Sequence, residues 1–296
     1  MELMELELLL KDTKFEKFIG NISSVEAHGN IYKNLYKTGN ENLGYFSLKI
    51  YENNNKYINE SIKNMKIIID KDNFINKYKD IICKDNHIII ISDWLNGFQP
   101  TIKNREYLPK FFQLLGVFNK QNIVKGPFTS MYVDYKYFDE IEDLINWEIN
   151  YHKNYMQHII EMKQIEKILE YLKKGFSCII SEDMNTGNLL ITDDGKYKII
   201  DIEWVIKGLN LYQFEKINYF GFENNEWYNI TEEAKECYSI YFDALGIKNE
   251  EANDQIRAFE LLQVLRTNTY NRKYLLSDNE EIIKRIKIVM DHDNFI

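Results

Sequence analysis

Residues 181–204 read SEDMNTGNLLITDDGKYKIIDIEW, and this stretch decides the fold. Asp183 is followed five residues later by Asn188, and Asp201 lies thirteen residues beyond Asn188. Two apolar runs frame these polar residues: NLLIT at 188–192 and YKIID at 197–201. Both read as strands, because alternating or continuous aliphatic residues bounded by turn formers favour the pleated backbone. Asp193-Asp194-Gly195-Lys196 between them is a hairpin turn, since Asp-Gly tolerates the positive φ that tight turns need. A hairpin sets the start of its first strand beside the end of its second, so Asn188 and Asp201 become neighbours. A further apolar run at 175–181 leads into the loop that carries Asp183.

Asp-x-x-x-x-Asn, a hairpin and a closing Asp form the spacing by which kinases surround a γ-phosphate with one base and two magnesium ligands. Phosphoryl transfer to an alcohol needs an aligned hydroxyl and cations where charge develops. Mg2+ takes hard oxygen ligands in near-octahedral geometry, so Asn188 and Asp201 are the candidate metal residues. One carboxylate must remain off the metal to orient the hydroxyl and accept its proton; Asp183 is the candidate. Taken singly, each of these residues would read as a turn former or cap. Together, at this spacing, they point to a phosphate–metal site. Glu203 shares a strand side with Asp201, and reads either as an aid to metal or polar substrate or as a hydrogen-bonding partner behind them.

With those residues in view, the chain resembles the aminoglycoside phosphotransferase and choline kinase superfamily of small-molecule kinases. The family's loop typically reads His-Gly-Asp-x-x-x-x-Asn, then apolar residues, a turn and Ile-Asp-Trp/Phe-Glu. Asp183, the Gly187-Asn188 pair, and Asp201 with Glu203 match it. Ser181 and Glu182 stand where His-Gly is usual, and Thr186 where Pro is common. The resemblance implies an α+β, bilobal protein-kinase-like fold. A small β-rich N-terminal lobe would span 1–94, and a larger, mostly helical C-terminal lobe 95–296. It implies Mg2+ as cofactor and ATP or GTP as phosphate donor.

Ahead of this motif, residues 18–26, 30–38 and 44–52 read as three successive strands. The turn between the first two, Ala27-His28-Gly29-Asn30, is similar to the family's short phosphate loop, which makes Gly29 and Asn30 candidate nucleotide contacts. No G-x-G-x-x-G or Walker-type lysine loop occurs. Lys49 sits between Leu48 and Ile50, an unusual place for a lysine unless it reaches solvent or an anion. In the resemblance it touches the α- and β-phosphates. Residues 54–69 suggest a helix whose one acid, Glu60, reads as the partner of Lys49 or as an exposed helical acid. HIIIISDWLNG at 87–97 reads as a buried strand, too short to span a membrane. The resemblance places adenine against backbone groups just after it, near Ser92, Asp93 and Trp94.

Composition narrows the classes. A chain of 296 residues with a mean hydropathy of −0.44 reads as a soluble globular protein with a sizeable core. The N-terminal MELMELELLLKD lacks the basic start of a secretory signal and reads as a short helix or an edge strand. Cys83, Cys178 and Cys237 are widely spaced, and two of them sit in apolar strands, which reads as buried free thiols in a reducing cytoplasm. No Cys/His cluster suggests zinc, and no serine elbow suggests a hydrolase. A net charge of −9 argues against a nucleic-acid partner. Helical apolar spacing recurs at 107–119, 159–174, 252–269 and 280–290, with Gly175 as the stop of the second.

From 201 to 270 the chain carries thirteen Asp or Glu against six Lys or Arg, a local net of −7. This is where the resembled family builds its acceptor site, so the acids either attract a cationic acceptor or simply form a solvated face. Tyr219, Phe220, Phe222, Trp227 and Tyr228 read as a cation–π site for a quaternary amine or as a hydrophobic cluster. The expected function is transfer of a γ-phosphate to a hydroxyl of a small cationic acceptor, aminoglycoside-like or an aminosugar. A choline- or ethanolamine-type kinase is the first alternative. A non-catalytic nucleotide-binding pseudokinase, suggested by Ser181-Glu182, is the second. A protein kinase ranks last, because no Ala-Pro-Glu closes an activation loop.

Overall fold

A computed structural model describes residues 3–18, 20–27, 30–52, 56–100, 104–130, 136–156, 161–202, 204–214, 232–273, 279–292 and 295–296. The first half runs α1 (Leu3–Leu10), β1 (Ser23–Ala27), β2 (Asn30–Asn40), β3 (Gly44–Glu52), α2 (Lys56–Lys66), β4 (Tyr78–Lys84), β5 (His87–Asp93) and β6 (Gly97–Phe98). The second continues with α3 (Leu108–Gln121), β7 (Phe128–Thr129), β8 (Tyr137–Phe138), α4 (Ile141–Met156), α5 (Met162–Leu169) and β9 (Ser177–Ser181). It ends with β10 (Leu189–Thr192), β11 (Tyr197–Ile199), β12 (Val205–Leu209), α6 (Glu232–Leu245), α7 (Asn249–Lys273) and α8 (Asn279–Asp291). The architecture is α+β, with one β-rich unit and one helical unit.

Each unit gathers more than one stretch of chain. The β-rich unit comprises Met1–Lys63, Asp72–Gln99 and Asn188–Glu203; the helical unit comprises Asn64–Lys71, Pro100–Gly187 and Trp204–Ile296. This differs from a single division near residue 94, and hydrogen bonding gives the reason. The β10–β11 hairpin pairs with β6, through Ile191 with Phe98 and Thr192 with Gly97. Ile199 also donates its N–H to the Phe74 carbonyl at 2.7 Å and accepts from the Asn76 N–H at 2.8 Å. Backbone groups placed inside a fold need partners, so the hairpin belongs where its ladder is.

In the β-rich unit, five antiparallel strands run in the order β1-β2-β3-β5-β4. Alternation along β3 separates two faces. Leu48 and Ile50 join Tyr36, Ile89 and Ile91 in a core closed by Leu6, Leu9, Leu10 and Phe15. The N-terminal segment is therefore a helix, and its apolar stripe covers one face of the sheet. Lys49, between Leu48 and Ile50, points to the opposite face. In the hairpin turn, Gly195 adopts φ 78° and its N–H reaches the Thr192 carbonyl at 2.8 Å.

In the helical unit, β9 pairs antiparallel with β12 from Ser177 with Leu209 to Ser181 with Val205. Aromatic packing ties α3 and α6 to the segment after β12. Phe112 stacks on Phe214 at 5.5 Å between centroids, and Phe214 meets Tyr241 edge-on at 4.5 Å. The expected helix at 159–174 is α5 followed by a 3-10 turn, Glu170–Lys174. Gly175 ends it in an extended conformation (φ −64°, ψ 166°) rather than a left-handed one. A Cβ there would lie 2.5 Å from Leu209 Cδ1, so close approach explains this glycine. Cys83 is exposed on β4, while Cys178 and Cys237 are buried; all three are free. No helix among the described residues is long and apolar enough to cross a membrane.

Candidate functional site

Lys49, Asn188 and Asp201 all belong to the β-rich unit, and backbone geometry explains how they meet. Antiparallel β10 and β11 bring Leu189 opposite Ile199, so the residues just outside the ladder are adjacent. The Asn188 carbonyl accepts from the Ile200 N–H at 2.8 Å, and the Asn188 Nδ2 donates to the Asp201 carbonyl at 3.3 Å. That use of the amide nitrogen leaves the amide oxygen as the atom that could take a cation.

Asp201 has φ 63°, in the left-handed region that non-glycine residues rarely occupy. That conformation turns the backbone out of β11 directly after the ladder. The Lys49 Nζ donates to the Asp201 Oδ1 from the open face of β3. The pair is partly open to solvent, with 19% of the Lys49 side chain and 45% of the Asp201 side chain exposed.

Among the described residues, Asp201 is a carboxylate paired with Lys49. Glu60, the expected partner, lies on α2 and pairs at 3.3 Å with Lys63, one turn along the same helix. Residues three apart share a helix face, and the local cation reaches the carboxylate first.

Asp183 lies in the helical unit, in the loop after β9. That loop is anchored where the Glu182 N–H donates to the Trp204 carbonyl at 2.8 Å, extending the β9–β12 ladder. The Met184 side chain is buried. The Asn185 Nδ2 donates to the Asp183 carbonyl at 3.0 Å.

The backbone groups expected to meet a purine are engaged within the sheet. The Trp94 N–H donates to the Tyr45 carbonyl at 2.9 Å. The Asp93 carbonyl accepts from the Asn76 Nδ2 at 3.0 Å, and its carboxylate pairs with Lys79 at 3.0 Å. The Ser92 carbonyl accepts from the Ser47 hydroxyl at 3.5 Å. A further cation stands close by. The Lys37 Nζ lies 4.5 Å from the Tyr45 ring centre and 4.8 Å from that of Trp94. Gly29, Glu203 and the aromatic residues 219, 220, 222, 227 and 228 lie outside the described residues. Of Asn30, only the backbone, at the start of β2, is described.

Among the described residues, no cluster of three or more His, Cys, Asp and Glu side chains could hold a metal ion. Among the described residues, the Asp201 carboxylate and the Asn188 amide oxygen are the candidate donors near Lys49. These are hard ligands of the kind Mg2+ takes when phosphates and water complete its shell.

No protein-family profile matches the chain, and no curated protein does. Solved structures do. An ethanolamine kinase of Plasmodium vivax matches with a TM-score of 0.58 at 14% identity, over 97% of this chain and 86% of that one. The aminoglycoside phosphotransferase APH(4)-Ia matches with a TM-score of 0.55 at 13% identity, over 99% of this chain and all of that one. The fold is that of the small-molecule kinases. At such identities the likeness establishes the kinase fold and leaves chemistry to the residues. Lys49, Asn188 and Asp201 lie in the β-rich unit, and Asp183 lies in the helical unit.

Sequence reasoning missed two features. One is the amide of Asn185 inside the Asp183 loop, for which an Asn two residues from a loop Asp was a weak signal. The other is a buried charge cluster in the helical unit. There Glu148 on α4 accepts from the Arg266 Nε on α7 at 2.6 Å and from the Tyr212 hydroxyl. His152 lies 3.8 Å from the same carboxylate and bonds Thr269 at 2.8 Å. No short-range pattern links residues 118 positions apart.

Proposed function

We propose that this protein transfers the γ-phosphate of ATP or GTP to a hydroxyl of a small cationic acceptor, aminoglycoside-like or an aminosugar. One observation carries the reading: the lysine of β3 and the aspartate ending the hairpin form an ion pair, with the Asn188 amide on that aspartate's carbonyl. In this reading Lys49 leaves Asp201 to steady the α- and β-phosphates, a role suited to a compact cation on a flexible stem. Asp201 and the Asn188 amide oxygen would hold Mg2+, which neutralises charge on the β- and γ-phosphates when bound. Asp183 orients the acceptor hydroxyl and takes its proton. With Glu60 given to Lys63, Lys49 is steadied by Asp201 until nucleotide arrives.

The acceptor class rests on charge. The acids of 201–270 attract an amine, and the neighbouring folds belong to proteins named for ethanolamine and for aminoglycosides. One structure of the latter holds AMP-PNP and hygromycin B together, at a TM-score of 0.53 to this chain. An ethanolamine- or choline-type acceptor is the second reading, supported by the P. vivax neighbour. Nucleotide consumption across a panel of aminosugars, aminoglycosides, choline and ethanolamine tests both. Mg2+-dependent turnover with one of them is expected, and its loss in Asp183→Ala. Nucleotide binding without turnover across the whole panel would instead make the protein a non-catalytic nucleotide binder.

A further inference from the structure

The loop from Asp183 to Asn188 contains a side chain that bonds the backbone in two directions. The Asn185 Nδ2 donates to the Asp183 carbonyl at 3.0 Å, and the Asn185 Oδ1 accepts from the Gly187 N–H at 2.9 Å. One planar amide therefore spans the loop from the residue that carries the proposed base to the 3-10 turn Thr186–Asn188. The seat is tight: a Cβ on Gly187 would lie 3.0 Å from the Asn185 Oδ1. The neighbouring Met184 is only 1% exposed, so its buried side chain anchors the loop.

We infer that Asn185 is a positioning residue for the proposed phosphotransfer. A hydrogen bond to the Asp183 carbonyl fixes the peptide plane that follows Asp183, and hence the direction in which its carboxylate leaves the backbone. A base must sit within hydrogen-bond reach of the hydroxyl it deprotonates, and an error of about 1 Å is enough to lose about 100-fold in rate. Water can satisfy a loop carbonyl, but it cannot join that carbonyl rigidly to the N–H of Gly187. An asparagine can, because its side chain offers donor and acceptor in one plane. Aspartate keeps the acceptor and loses the donor; alanine loses both.

This assignment rests on Asp183 being the base, and the test separates the two claims. Wild type, Asn185→Ala and Asn185→Asp are compared for kcat, nucleotide KM, thermal midpoint and hydrogen exchange at the Gly187 amide. In Asn185→Ala, kcat falls about 100-fold while nucleotide KM holds and the midpoint moves little. Exchange at Gly187 accelerates in the alanine variant and stays protected in the aspartate variant, whose kcat falls to an intermediate level. Turnover in wild type together with an unchanged kcat in Asn185→Ala overturns this assignment alone. So does a loss that appears in KM and midpoint with kcat retained. A wild-type chain without turnover on any acceptor overturns the functional reading, and this assignment with it.

Discussion

Two of the molecule's ion pairs, Glu148–Arg266 and Lys49–Asp201, are built from the same chemistry to opposite ends. In the helical unit, Glu148 and Arg266 are each 7% exposed, and Tyr212 and His152 supply the rest of the carboxylate's surroundings. The Arg266 guanidinium also lies over the Tyr212 ring at 4.4 Å. In the β-rich unit, Lys49 and Asp201 form a pair that stays partly open to solvent, on a residue with a left-handed backbone. An enclosed charge must be fully partnered or it destabilises the fold. An open pair contributes little to stability and can exchange partners. The first pair is architecture, and under the proposed function the second is a cation and an anion held ready for other ligands.

Breaking each pair should give opposite results. Glu148→Ala leaves Arg266 buried without its carboxylate and should cost about 3–5 kcal/mol of stability in urea unfolding. Turnover per folded molecule at low temperature should be retained. Lys49→Met should reverse this, with turnover falling about 100-fold through lost phosphate positioning and stability moving by less than about 1 kcal/mol. If Lys49→Met destabilises the chain as much as Glu148→Ala does, the contrast between the pairs is wrong.

Acid sharpens the comparison. Burial pushes the Glu148 carboxyl up, but the Arg266 guanidinium, the nearby His152 and the hydrogen bond from Tyr212 outweigh it and hold the group at about 2. A carboxyl whose folded pKa is depressed lends stability above its unfolded pKa and loses it as pH falls toward the folded value. Between the ordinary value of 4.5 and about 2, this group should therefore give up about 3 kcal/mol. Urea unfolding of wild type should show that loss below pH 4.5, and Glu148→Gln should flatten the profile in the same window. An unchanged profile in Glu148→Gln would remove Glu148 as the source.

The smallest effect is expected at Glu60. Its partner Lys63 is on the same helix, so Glu60→Ala should move stability by less than about 0.5 kcal/mol and leave turnover unaltered. A large fall in turnover would return Glu60 to the role first expected of it.

The contrast also explains what was legible in the sequence. The strand at Gly44–Glu52 and the turn at Gly195 were readable, because alternation and Asp-Gly are local signals. The meeting of Asn188 and Asp201 followed from the hairpin alone. What depended on distant register was not readable. The pairing of β3 with β5 takes the Trp94 N–H for Tyr45, and nothing near Trp94 announces it. Strand Val205–Leu209, helix Ile141–Met156 and the Glu148 cluster likewise owe their places to partners far along the chain. Glu60 pairs here with Lys63 rather than with Lys49, a choice set by a cation three residues away on the same helix.

Calorimetric titration of ATP and GTP, with and without Mg2+, into wild type and Asp201→Ala bears most directly on the idea that the open pair is a nucleotide–metal site. Binding to wild type should tighten when Mg2+ is present, and Asp201→Ala should lose that dependence while its fold survives. Equal affinity with and without Mg2+ in wild type, or an Asp201→Ala chain that binds the Mg2+-nucleotide as tightly as wild type, would contradict it.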